Sequence, residues 1–135
     1  SEYFIMETTT DTCPCGSNVA YNECCLPLIK GDRPALTAEE LMRSRYSAYV
    51  LCLPDYLLAT WHASTRPASE SLSLQDGTRW LGLKIVHFSS SSAGRASVEF
   101  IARYKQLGFS AQKLHERSEF ILEDGRWFYV NGDFL

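Results

Sequence analysis

The sequence has no apolar run approaching the roughly 18 residues that a membrane-spanning helix requires, so no such span is expected within it. It has no surplus of positive charge: Lys and Arg number 13 against 16 Asp and Glu, a net charge of −3 with a pI near 5.6. That balance gives no general attraction to nucleic acid or to an anionic membrane surface. No Lys/Arg stripe is clustered tightly enough to offset it. No basic region followed by an apolar core opens the chain, so no secretory signal is read and the reducing cytoplasm is the expected setting. Met6 marks an alternative start, and Ser1 to Ile5 are left out of the fold reading. Internal repeats are absent, and no catalytic constellation stands out.

What is there is a packed core and an unusual knot of sulfur. Hydrophobic residues make up 45% and charged residues 21% of 135 positions, which fits one folded domain with a small appendage and argues against disorder. Of five cysteines, four lie at Cys13, Cys15, Cys24 and Cys25, and Cys52 stands apart. A disulfide framework would spread its cysteines to staple distant segments, and adjacent cysteines bond to each other only with strain. The spacing C-x-C-x8-C-C instead offers four thiolates to one tetrahedral metal, which suits zinc. Iron–sulfur ligation and a thiol switch are the remaining chemistries, although Cys13-Pro14-Cys15 is not the C-x-x-C of thioredoxin-type redox sites. Gly16 fits a tight turn in which backbone N–H groups point at sulfur. Four protein ligands leave no open coordination position, so the zinc is expected to be structural. Cys52 is read as a small buried residue on a helix face.

Residues 1–12 are polar and Thr-rich and read as a flexible tail; 13–34 hold the cysteine segment and a linker; 35–135 form the main domain. Thr37-Ala38-Glu39-Glu40 is a capping box, with Leu36 and Leu41 at the positions of a hydrophobic staple. Leu41, Ala48 and Cys52 then share one helical face with Met42, Tyr49 and Leu53 beside it, while Arg43 and Ser47 lie largely opposite. Pro54 stops or restarts the helix, and Asp55 to Trp61 continue for a turn or two. A loop follows, with a short helix near Ala68 to Leu74. Strands are predicted at Trp80 to Phe88, Ala96 to Tyr104 and Leu114 to Leu122. Asp124-Gly125 is a hairpin signal into a fourth at Trp127 to Val130. In the second strand Ala96, Val98, Phe100, Ala102 and Tyr104 share a face. Helices followed by an antiparallel meander predict an α+β fold.

Cys13-Pro14-Cys15-Gly16-Ser17 through Tyr21 to Cys24-Cys25 resembles the SEC-C zinc motif found at the C-terminus of the SecA translocation ATPase. Leu41-Met42-Arg43-Ser44-Arg45-Tyr46-Ser47-Ala48-Tyr49, Thr60-Trp61-His62, Trp80-Leu81-Gly82-Leu83 and His115-Glu116-Arg117-Ser118-Glu119-Phe120 resemble the bacterial YchJ family. The resemblance implies a cystatin-like, nuclear-transport-factor-like cone, with helices packed on a curved antiparallel sheet, behind an N-terminal SEC-C module that binds Zn2+. It implies no reaction. Two departures matter. The segment Ser17 to Glu23 lacks the lysines common in SecA-type modules, and the second cysteine motif that some family members carry near the C-terminus is absent from this sequence.

A cone of this kind leaves a pocket at its open end, and fold alone does not say what it does. Candidate pocket residues are Tyr46, Tyr49, Trp61, His62, Arg66, Arg103, His115, Arg117 and Glu119. Tyr46 and Tyr49 at helical spacing are also ordinary core or rim residues, and Trp61 an ordinary core anchor. Arg43 and Arg45 can pair with Glu119 or with the C-terminal end of another element. His62 is a possible general base for which the sequence supplies no nucleophile or acid. Two functions are carried forward. The first is a cytoplasmic zinc-containing interaction or adaptor protein with a protein partner. The second is a small-molecule or enzymatic pocket around Trp61, His62 and Arg117. Nucleic-acid or ribosome-associated binding ranks below both, and the expectation leans away from an enzyme.

Overall fold

The computed structural model describes residues 11–72, 74 and 77–135. Residues 1–10 of the expected tail, the Ser1 to Ile5 segment with Met6, and Ser73 of the expected short helix lie outside the described residues. Asp11 and Thr12 are already engaged with the cysteine segment. Thr12 bridges antiparallel to Ala20, and the Asp11 carbonyl accepts from the Tyr21 N–H at 2.8 Å.

Helix α1, Cys25–Lys30, follows a single 3-10 turn at Tyr21–Glu23. Helix α2, Ala38–Val50, starts where the capping signal places it: the Thr37 hydroxyl accepts from the Glu40 N–H at 3.1 Å. The return half of the box differs. Glu40 Oε1 accepts from the Leu36 N–H at 2.8 Å, one residue upstream of the expected Thr37, and also from Arg33 Nη1 at 3.1 Å. The staple is not formed, because Leu36 is 75% exposed while Leu41 is buried. The helix ends at Val50, and Cys52 takes a left-handed φ of 57°. That reversal turns its thiol outward, so Cys52 is exposed and not the core residue expected. Ser47, placed opposite the apolar face by the sequence, is fully buried. The cysteine segment covers that side of the helix. Pro54 restarts the chain as helix α3, Pro54–Ala59. The short helix near Ala68 is one 3-10 turn at Ser69–Ser71.

The second half is an antiparallel meander of β1 (Thr78–Ser90), β2 (Arg95–Gln106), β3 (Gln112–Glu123) and β4 (Arg126–Phe134), in that spatial order. Asp124 and Gly125, with φ of 54° and 78°, make the left-handed two-residue turn between β3 and β4. The inner face of β2, Ala96, Val98, Phe100 and Ala102, is buried as its alternation predicts. It packs with Leu41, Met42 and Tyr46 of α2. Each fully buried Leu, Val or Phe in such a core contributes about 1.5–3 kcal/mol. Cys13, Cys15, Tyr21 and Cys25 belong to the same buried cluster. Segment and cone therefore share one core.

Candidate functional site

The four knot sulfurs all lie within 4.8 Å of one another. Cys15 Sγ is 3.7 Å from Cys24 Sγ, and Cys24 Sγ is 3.9 Å from Cys25 Sγ. Four thiolates about 2.3 Å from a common centre stand about 3.8 Å apart in a tetrahedron, so the donor set fits a metal ion. Local backbone explains the convergence. The Cys13 N–H donates to the Val19 carbonyl at 2.8 Å, closing a hairpin loop, and the 3-10 turn swings Cys24 and Cys25 back onto it. Gly16 holds φ of +84°, and a Cβ there would press on the Leu83 carbonyl of β1 at 3.2 Å.

The turn at Gly16 brings the Ser17 backbone into hydrogen bonding with the Cys15 sulfur, as expected of backbone N–H groups there. The Gly16 N–H closes the turn onto the Cys13 carbonyl at 3.3 Å. Hydroxyls reach the sulfurs as well, Ser17 Oγ at 3.2 Å from Cys24 Sγ and Ser47 Oγ at 3.5 Å from Cys13 Sγ. Arg43 adds positive charge alongside, its Nη1 donating to the Cys15 carbonyl at 2.8 Å while Nε pairs with Glu39 at 3.1 Å. Hydrogen bonds from Cys13, then Cys25, hold the Cys15 thiol far below the ordinary range. Hydrogen bonds with Cys13 and Cys15, then burial, push Cys25 far above it. Crowded together, the four thiols oppose one another's ionisation, and a bound cation would favour the thiolate form of all four.

The second feature is a chamber of about 240 Å³ between α2 and the concave face of the sheet. Helix α2 contributes Met42, Arg45, Tyr46 and Tyr49; the strands contribute Trp80, Phe100, Ala102, Leu114, Glu116, Ser118 and Tyr129. A mouth of about 350 Å³ shares Tyr49, Trp80 and Leu114 with it and adds Tyr104 and Cys52. Arg45 is 3% exposed. Its Nη1 donates to the Leu57 carbonyl at 2.8 Å and to Thr60 Oγ1 at 2.7 Å, so it serves the C-terminal half of α3. The guanidinium lies over the rings of Trp61 at 5.1 Å and Tyr129 at 4.5 Å. Glu116 Oε2 accepts from the Ser118 hydroxyl at 2.9 Å, and burial raises its carboxyl above the ordinary range. Gly132 makes room for that carboxyl; a Cβ at Gly132 would collide with Glu116 Oε2. Burial, then Glu116, pushes the Tyr129 hydroxyl up to about 12.

Of the residues singled out for a pocket, Tyr46 and Tyr49 line this chamber, and Trp61 meets Tyr129 edge to face behind it. Among the described residues, Trp61 Nε1 is the buried side-chain donor left without a partner. Arg103, His115, Arg117 and Glu119 lie on the opposite face of the sheet, because Ala102, Leu114, Glu116, Ser118 and Phe120 take the inner positions. His115 pairs with Glu99 at 2.7 Å, and Arg117 with Glu119 at 3.8 Å. Arg66 donates to the Trp61 carbonyl at 3.0 Å. His62 has both partners the sequence could not supply, Ser64 Oγ at 2.7 Å from Nδ1 and Glu123 Oε2 at 2.8 Å from Nε2. The Ser64 N–H also donates to Nδ1 at 3.1 Å, which makes this nitrogen the acceptor. None of the three lines the chamber or its mouth. They tie the loop after α3 to the β3–β4 hairpin. Arg45, Glu116 and Ser118 were not legible as site residues, although all three stand inside the segments that resemble the YchJ family.

The comparisons agree with this geometry. The profile described as "YchJ, middle NTF2-like domain" matches residues 37–132. The chain belongs to the YchJ family. The SEC-C motif matches residues 10–27, which contain the four clustered cysteines. A UPF0225 protein of Polaromonas naphthalenivorans is 48% identical over 136 residues, covering 92% of this chain and 98% of the relative. Another from Methylibium petroleiphilum is 50% identical, covering 90% and 87%. A SEC-C motif containing protein from Rhodopseudomonas palustris, solved in solution, superposes with TM-score 0.82 at 35% identity, covering 92% of this chain and 98% of that one. A crystal structure of a SEC-C motif containing protein from Psychrobacter arcticus gives 0.78 at 30% identity, covering 93% and 84%. YchJ membership accounts for the α+β NTF2-like fold and for a cysteine cluster able to hold a metal. Among the described residues, no helix is long and apolar enough to cross a membrane.

Proposed function

We propose that the protein is a small-molecule-binding protein in which a structural zinc ion on Cys13, Cys15, Cys24 and Cys25 secures one side of the cone, and the chamber beneath α2 receives the ligand. The observation that carries the reading is the chamber itself. It is walled by aromatic rings, it opens through a wider mouth, and it holds a buried arginine and a carboxyl on opposite walls. Apolar concavity with a few placed polar groups is the usual form of a ligand site. Zinc is supported by the four-thiolate donor set and its near-tetrahedral spacing. The test is a thermal-shift screen of a broad metabolite library on wild type and on Leu114→Trp, which places an indole where chamber and mouth meet. Hits should disappear in the variant. Hits that persist, or a library without hits, would sink the reading.

A second reading, an adaptor that meets a protein partner through the cysteine module, is favoured by Val19 within the module and Leu36 just after it, which are 42% and 75% exposed. Pull-down with wild type and Cys24→Ser separates the two. If the variant loses zinc yet keeps every partner, the module is not the recognition surface.

A further inference from the structure

We infer that the chamber takes a small organic anion, a carboxylate carried on a flat apolar body, with the carboxylate seated beside Arg45. The inference rests on the small-molecule reading above and adds the ligand's charge and shape.

The charge follows from how Arg45 is buried. A cation withdrawn from water costs several kcal/mol unless it is paired. The ion pairs that arginines make among the described residues are Arg33–Glu40, Arg43–Glu39 and Arg117–Glu119. Arg45 has instead the Leu57 carbonyl, the hydroxyls of Thr60 and Tyr49 and two aromatic faces, none of them a carboxylate. The Leu57 and Thr60 hydrogen bonds are both made by Nη1 and the Tyr49 hydroxyl takes one more, which leaves the remaining N–H donors of the planar fork for an acceptor entering the chamber. The chamber's carboxyl does not fill that role. Glu116 is not within ion-pair distance of Arg45, and its oxygen is taken up by the Ser118 hydroxyl. Burial, with Asp133, raises its carboxyl against the opposing pull of the Ser118 hydrogen bond and of Arg45. Among the described residues, Arg45 therefore has no carboxylate in ion-pair contact inside the chamber.

The shape follows from the rings. Tyr104 and Trp80 stand with centroids 5.6 Å apart at the mouth. Trp80 continues inward to Tyr49 at 6.1 Å and Tyr46 at 5.8 Å. These tilted and edge-on faces lead from the mouth toward the guanidinium and suit a planar apolar body. A cavity of about 150 Å³ accommodates benzene, so 240 Å³ leaves room for one ring and a carboxylate.

The experiment titrates the full chain, as purified, with benzoate, phenylacetate and indole-3-acetate. Benzamide and benzylamine serve as neutral and cationic counterparts, with calorimetry and amide NMR shifts as readouts. The acids should bind about tenfold or more tighter than benzamide, with benzylamine weakest. Leu114→Trp should abolish acid binding, and Glu116→Gln, which keeps Arg45 in place, should strengthen it several-fold. Benzamide binding as tightly as benzoate, blocked by Leu114→Trp, would overturn the anion inference and leave the small-molecule reading standing. Acid binding unaffected by Leu114→Trp would place the site elsewhere and overturn both. An absence of binding across the whole panel would overturn the anion inference alone, the library screen deciding the broader reading.

Discussion

Arg43 Nη1 donates to the Cys15 carbonyl at 2.8 Å, so a side chain of the cone's long helix holds the backbone of the metal knot. The same guanidinium is oriented by Glu39 one turn earlier on α2. Replacing it removes a charge-assisted hydrogen bond and nearby positive charge from an anionic cluster. Arg43→Ala should lower stability by about 1–3 kcal/mol and speed metal release to a chelator. Metal content at saturation should stay the same. Chemical denaturation and a chromogenic chelator assay measure the two effects, and unchanged release kinetics would show that the contact does not secure the site.

Metal removal should reach well beyond residues 13–25. Structural zinc contributes about 10 kcal/mol or more of folding free energy in small sites. Here Cys15 and Cys25 of the proposed ligand set also sit within the cone's own core. Cys24→Ser, or extraction by a strong chelator, should lower the unfolding temperature of the whole chain and broaden the transition. Mass spectrometry should find one zinc per wild-type chain. A metal-free protein that unfolds as cooperatively and at the same temperature would contradict this.

Glu116 makes stability depend on pH in a definite direction. Its folded carboxyl is raised, chiefly by burial, with Ser118, Asp133 and Arg45 acting on it. The folded state therefore binds the proton more tightly than the unfolded chain, and stability falls as pH rises through the window between the two values. Glu116→Gln should remove that loss. The variant should be more stable than wild type above the window and show no such gain below it, as thermal melts across acidic and neutral pH would reveal. A difference independent of pH would exclude this role.

Arg45 should tolerate no conservative exchange. Lysine keeps the charge but cannot reproduce the two Nη1 hydrogen bonds to Leu57 and Thr60 together with planar stacking on Trp61 and Tyr129. Arg45→Lys should cost about 2–3 kcal/mol in urea denaturation. A cost below experimental error would mean that charge alone matters at this position.

The array Ser64–His62–Glu123 has the donor order of a nucleophile, a base and an orienting acid, yet neither the chamber nor its mouth opens beside it. Glu123 is half exposed, and such pairs contribute little. Glu123→Gln should change stability by about 1 kcal/mol or less. Hydrolysis of an activated ester should run at the rate of buffer and be indifferent to Ser64→Ala. A rate that falls with Ser64→Ala would reveal a reaction centre.

The sequence was informative where local chemistry decides structure. Thr37 and Glu40 placed the start of α2, Asp124-Gly125 placed the last turn, and the clean alternation of β2 identified the inner face of the sheet. The four cysteines were legible because thiols crowded so closely along the chain suit a shared metal far better than they suit disulfides or core packing. Glu116 and Ser118 were missed because they occupy inward positions of β3 and line a cavity, so their polarity made the wrong face look buried. Register resolves it: Val98 pairs with Ser118 and Phe100 with Glu116. Arg45 was missed because a charged residue is rarely buried without an ionic partner. Its partners, Leu57, Thr60, Trp61 and Tyr129, come from separate segments that only the tertiary fold assembles. Cys52 was misplaced because the left-handed residue that ends α2's exit turn carries no glycine to announce it.

The core shared by knot and cone also orders events during synthesis. The four thiols leave the ribosome before α2 and before β1, on whose Leu83 carbonyl the Gly16 turn comes to rest. Metal can therefore be captured by a segment that has as yet no surface to pack against. The later half of the chain then closes over Cys13, Cys15, Tyr21 and Cys25. A chain that misses its metal meets the finished sheet without those buried side chains in place. On the proposed zinc reading, scarcity of the metal in the cell would leave misfolded, degradable protein, and the abundance of this protein should then follow zinc supply even when its transcript does not.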